Sequence, residues 1–224
     1  MTGAPERRTS ALPGGSAIGS DAARTRAPQK RQAIVDAATR LFLEQGYRGT
    51  SMDEIAAAAA VSKQTVYTQF GDKEQLFSDI VLGITGRAEE IVVTIAARFA
   101  EIDDLEDGLT RLARSYATSV MSPPVLRLRR LVISEADRFP ELAATYFERA
   151  PGRGIEALGA GFDDLVGRGL LHADDTATAA VQFAYLVLGP VLDRALFHPR
   201  SPVSEDEIAR CAEAGVAAFL AAST

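Results

Sequence analysis

Apolar residues recur at three- and four-residue spacing from residue 29 almost to the end of this chain, and nowhere do they alternate as in a strand. Ile34, Ala37, Ala38, Leu41 and Phe42 form a first helical stripe, closed by Gly46. Thr50 or Ser51 opens a second helix, each with an acidic residue three places on (Asp53, Glu54), as a capping box requires. Ser62 caps a third, short helix that runs to Phe70 and is broken by Gly71-Asp72. Asp72, with Gln75 three residues on, starts a fourth that the pattern extends over Lys73–Phe99 as a strut. Further helices are predicted over Glu106–Met121, Val125–Phe139, Glu141–Arg149, Ile155–Arg168, Asp175–Phe197 and Ser204–Ala221, separated by proline- and glycine-containing breaks. The fold expected is all-α, with about nine or ten helices.

The pattern divides the chain in three. Residues 1–27 are rich in Gly, Ala, Ser, Thr, Pro and Arg and are expected to be disordered. Their arginines (Arg7, Arg8, Arg24, Arg26) belong either to a plain solvated tail or to a basic arm that tracks phosphates or a minor groove. Residues 28–76 hold the short helices, and 77–224 form a larger helical domain.

Composition adds compartment and polarity. The 224 residues are 47% hydrophobic, as in a globular protein. No uncharged apolar run of the ~18–20 residues that span a bilayer, and no signal peptide, is visible, and the single cysteine fits a reducing compartment. A cytoplasmic location and no membrane partner are expected. The net charge of −6 is unevenly spread: residues 1–73 hold ten Lys/Arg against seven Asp/Glu, and all three lysines. A mildly basic end on an acidic body suits a protein that touches phosphate at one end.

Thr50–Phe77 explains that polarity. Two short helices joined by a tight turn make a helix-turn-helix. Ala56 and Ala59 let the helices cross closely, Val61 pins the turn, and Ile55, Val66 and Phe70 form the apolar underside. The third helix then presents Lys63, Gln64, Thr65, Tyr67, Thr68 and Gln69, hydrogen-bonding side chains without a carboxylate to repel DNA.

The stretch Ile34-Val-Asp-Ala-Ala-Thr-Arg-Leu-Phe42, Gly46-Tyr47, Thr50-Ser51, Ile55-Ala56, Val61-Ser62-Lys63, Thr65-Val66-Tyr67, Phe70 and Asp72-Lys73-Glu74-Gln75-Leu76-Phe77 resembles the TetR/AcrR family of regulators. Arg130–Leu142 is similar to a segment of the AcrR/AefR-like C-terminal domains. The resemblance implies a homodimeric, sequence-specific transcriptional regulator, most often a repressor, that grips a palindromic double-stranded operator and is released by a small apolar or amphipathic effector. It implies that Lys63, Gln64 and Thr68 face base edges or nearby phosphates, while Thr50, Ser51, Thr65, Tyr67 and Lys73 fix the DNA backbone. Where the family usually has glycine in the turn stands Ala60, so this residue either avoids the left-handed conformation or tolerates its strain. The last two helices, through Val181, Ala184, Tyr185, Leu188 and Leu192 and through Ala212, Gly215, Val216, Phe219 and Leu220, are the expected dimer interface.

The remaining chemistry is sparse. Tyr116, Met121, Phe162, Phe183 and Tyr185 are candidates to line an effector pocket. Arg127, Arg129 and Arg130 read as solvated or ion-paired rather than as a second nucleic-acid site. Cys211 reads as a structural thiol, and His172 and His198 lack partners at metal spacing. No nucleophile–base pair, metal cluster or phosphate loop is present in the sequence, so no enzyme, metal or cofactor is expected.

Overall fold

The computed structural model describes residues 18–222 apart from Arg87, with side chains described for residues 28–86 and 91–222. Eleven α-helices follow one another and no strand occurs among the described residues: α1 Ile18–Gly49, α2 Met52–Ala58, α3 Lys63–Phe70, α4 Lys73–Thr85, α5 Ala88–Ala100, α6 Leu105–Val120, α7 Pro123–Ser134, α8 Pro140–Phe147, α9 Arg153–Gly167, α10 Thr176–Phe197 and α11 Glu205–Ala222. A single π-turn, Glu148–Gly152, joins α8 to α9.

The predicted starts are those with caps. Ser51, not Thr50, caps α2, and its capping box with Glu54 closes in both directions. Ser62 and Asp72 cap α3 and α4 by accepting from the backbone N–H groups of Thr65 and Gln75. Three expectations change. The first helix begins at Ile18, inside the expected arm, of which residues 1–17 lie outside the described residues. The strut over Lys73–Phe99 divides after Thr85, where Gly83 and Gly86 weaken helix propensity. And α7 starts at Pro123 rather than after Pro124, because proline fits the first helical turn, whose N–H groups need no intrahelical partner.

Two apolar clusters result. The first, in the head, joins Ile34, Phe42, Tyr47, Ile55, Val66, Phe70, Leu76 and Phe77 to Leu128, Leu131, Val132 and Tyr146 from α7 and α8. The head therefore shares its core with the larger domain, and no apolar boundary falls at residue 76. The second fills the body, where Phe162 packs on Phe99, Phe183 and Phe219 with ring centroids 5.2–5.5 Å apart. Gly161 makes this possible: a Cβ there would lie 2.1 Å from the Phe99 ring. α10 is long and apolar enough, by length and composition alone, to cross a membrane. Asp193 and Arg194 interrupt its apolar run, and Ala180, Phe183 and Val187 are buried on the side that packs against α9 and α11.

Ala60 settles the question of the turn. It adopts φ +53°, so the left-handed strain is tolerated rather than avoided. Ala60→Gly is expected to raise the free energy of unfolding by about 0.5–1 kcal/mol, the left-handed penalty less the entropy cost of glycine. Urea denaturation checks this; a lower midpoint with an unchanged slope contradicts it.

Candidate nucleic-acid interface

α3 is held from beneath. Val66 and Phe70 are buried on the head core with Ile55 of α2, and the Arg31 guanidinium of α1 lies 4.6 Å from the centre of the Phe70 ring while pairing with Asp79 of α4 at 2.8 Å. With that underside fixed, Lys63, Gln64, Tyr67, Thr68 and Gln69 point outward, and Tyr67 is 42% exposed. The face suits hydrogen bonding to an extended polar surface.

The candidate residues divide by what their polar atoms already do. Lys63 pairs with Asp53 at 2.7 Å, and its ammonium lies 5.9 Å from the Tyr67 ring. A carboxylate from α2 thus stands beside the helix that was read as carboxylate-free, and it holds the Lys63 ammonium above its ordinary range. Thr65 is half-buried and joins the Ser62 cap through a 2.8 Å hydroxyl contact. Ser51 donates to Glu54 at 2.7 Å. Thr68 is exposed, and its hydroxyl donates to the Gln64 carbonyl.

Thr50 and Lys73 face the other way. The Thr50 side chain is buried and donates to the carbonyl of Gly46 at 2.9 Å. Gly46 takes φ +76° and ψ 172°, a conformation open essentially to glycine alone, and this kink carries the chain from α1 to α2. Lys73 reaches back from α4, donating to the carbonyls of Tyr47 at 2.9 Å and Thr50 at 2.7 Å, with its ammonium 4.2 Å from the centre of the Tyr47 ring. Burial pushes its pKa down, and Arg138 adds to the effect. Lys73, at the start of α4, was expected to fix the DNA backbone. Instead the Asp72 carboxylate occupies an amide there, and the cation closes the seam between α1 and α4.

Arg138, unremarked in the sequence, completes the arrangement from the α7–α8 turn. It pairs with Glu74 at 3.0 Å and lies 4.9 Å from the Tyr47 ring centre, so two cations touch one buried aromatic. Only its position in the Arg130–Leu142 resemblance could have pointed to it.

The expected effector residues are scattered. Phe162, Phe183 and Met121 are core, Tyr116 is buried, and Tyr185 is 60% exposed. Tyr116 borders a crevice between α5 and α6 too narrow to hold a water molecule. Of the expected dimer residues, Ala184, Leu188, Ala212, Gly215, Val216 and Phe219 pack within the subunit, since α10 and α11 cross so closely that a Cβ on Gly215 would meet the Leu186 carbonyl at 2.8 Å. Val181 and Tyr185, of the expected residues, are exposed, as are Leu186, Pro190, Ala214 and Ala218.

Both halves match known families. Residues 34–80 match the bacterial regulatory proteins of the tetR family, and residues 107–222 match the AefR-like transcriptional repressor C-terminal domain. The chain belongs to the TetR family of transcriptional regulators. AcrR of Shigella flexneri is 50% identical over 54 residues, 24% of this chain and 25% of that protein, so the likeness to AcrR is confined to one segment. A crystal structure described as a TetR-family regulator from Mesorhizobium loti is 38% identical, covering 88% of this chain and 98% of its own at a TM-score of 0.80. The flavonoid-responsive regulator FrrA is 32% identical over 87% of this chain and 97% of its own, with a TM-score of 0.67. TetR-family proteins are DNA-binding regulators of transcription rather than enzymes.

Lys73→Met is expected to destabilise the DNA-free protein by roughly 1–3 kcal/mol through loss of two charge-assisted hydrogen bonds and an aromatic contact. Chemical denaturation measures it. Unchanged stability would mean that the ammonium is free to leave the seam.

Proposed function

We propose that the protein is a homodimeric repressor that reads a palindromic operator through α3 and is released by a small apolar or amphipathic molecule. The observation that carries this reading is the outward row Lys63, Gln64, Tyr67 and Thr68 on a helix whose opposite side is locked into the head core. Gln64, and Lys63 once Asp53 is displaced, face base edges or the phosphates beside them, with Thr68 alongside. Tyr67 takes a backbone phosphate through its hydroxyl, and Ser51 and Thr65 do so at the starts of α2 and α3. Thr50 and Lys73 act from behind: their side chains hold the turn that presents those starts, and Lys73 keeps one N–H for a phosphate. Work on chromosomal DNA places the protein in the cytoplasm.

Residues 28–76 act as the DNA-binding unit and 77–224 as the regulatory one. The subunits join through the outward face of α10 and α11, where exposed apolar residues meet small ones that permit close helix approach. Because the body core is closed, an effector acts by favouring an opened arrangement over the packed one, and relief of repression follows if that arrangement spaces the two α3 helices wrongly. FrrA, flavonoid-responsive by name, supports an effector with an apolar ring system.

Fluorescence anisotropy with DNA from the gene's own promoter tests the reading. Tyr67→Phe is expected to weaken binding about tenfold or more while leaving the melting temperature unchanged. Equal affinity for promoter and random duplex at moderate salt sinks the proposal. Val181→Asp is expected to shift the protein towards monomer in sedimentation; an intact dimer would place the interface elsewhere.

A further inference from the structure

The outward row of α3 holds its charge already matched. Among the eight residues of that helix, Lys63 is the one charged side chain. Its ammonium meets both oxygens of the Asp53 carboxylate of α2, at 2.7 and 3.1 Å. The Lys63 and Asp53 side chains are 58% and 65% exposed, so the pair stands on the surface beside that row and not in the core.

Helix α2 does not depend on Asp53. Its capping box uses the neighbouring acid: Glu54 accepts from the Ser51 backbone N–H at 2.8 Å and from the Ser51 hydroxyl at 2.7 Å, and the Ser51 hydroxyl accepts in return from the Glu54 N–H. A carboxylate in the first turn also favours a helix N-terminus in a general way, but Glu54 supplies that too. Among the described residues Asp53 pairs with Lys63 alone.

We infer that Asp53 is an intramolecular stand-in for DNA: in the free protein its carboxylate occupies the ammonium that a phosphate or a base edge takes in the complex. The inference rests on the reading of α3 as the DNA-contacting helix, and it names a residue that sets how tightly that helix binds. Contact with DNA then exchanges one partner of Lys63 for another instead of adding one. Operator and unrelated duplex must open the same pair. Asp53 therefore lowers affinity for both by the same factor and leaves sequence preference to the uncharged hydrogen-bonding groups of α3, such as Gln64. An exposed ion pair is weak, so the factor is small.

Fluorescence anisotropy of the full-length protein, with a duplex from the gene's own promoter and a random duplex of equal length, tests this. Asp53→Asn is expected to tighten both complexes about three- to fivefold, with their ratio unchanged within about twofold. The gain should shrink as salt is raised, because salt screens the pair in the free protein. In a Lys63→Met background the same substitution should gain about twofold at most, since only repulsion between carboxylate and phosphate is left to remove. Thermal melting verifies that each variant is folded. Unchanged or weaker binding by Asp53→Asn overturns the inference, and so does a gain confined to one duplex. An equal gain in both backgrounds overturns it as well, because Asp53 would then merely repel phosphate. If the parent protein does not distinguish promoter from random duplex, the reading of α3 fails; if it does and Asp53→Asn gains nothing, only the role of Asp53 fails.

Discussion

The head and body close on one buried ring. Tyr47, at the end of α1, lies in the aromatic cluster of Phe42, Phe77 and Phe139, with centroids 5.0–5.8 Å from its own. Lys73 covers it from α4 and Arg138 from the α7–α8 turn. Its own carbonyl accepts from Lys73, and the same ammonium holds Thr50 in place. Thr50, through the Gly46 carbonyl, and Lys73, through the carbonyls of Tyr47 and Thr50, thus tie the kink at Gly46 and the turn into α2 to the backbone beside that ring. Desolvating a cation is affordable here because carbonyl dipoles and an aromatic face replace its water.

That constraint bears on how the two ends communicate. Arg138, Phe139 and Tyr146 belong in sequence to the larger domain, yet they pack on the head. A shift of α7 or α8 therefore moves groups in direct contact with α1 and α4, without any long relay. Population of a second arrangement of these helices is the physical form that regulation would take.

What the sequence made legible was what local chemistry dictates. Ser51, Ser62 and Asp72 announce helix starts because a cap needs only its own first turn, and the helix-turn-helix underside of Ile55, Val66 and Phe70 follows from periodicity. Long-range partners left no such trace. Nothing in the order of residues tells that Lys73 turns towards carbonyls 23 and 26 positions earlier, or that Arg31 reaches Asp79, 48 positions on. Small residues on α11 were equally ambiguous: Ala212 and Gly215 serve the crossing with α10, while Ala214 and Ala218 face outward. One helical stripe can serve either contact, and only the packing decides.

The central claim, that a pair of α3 helices reads a two-fold DNA site, is tested most directly by selecting the full-length protein's ligands from a pool of random duplexes. Enrichment of an inverted repeat is expected, with half-sites one helical turn, roughly 34–36 Å, apart. Recovery of no motif, or of a single half-site without its inverted partner, would contradict it.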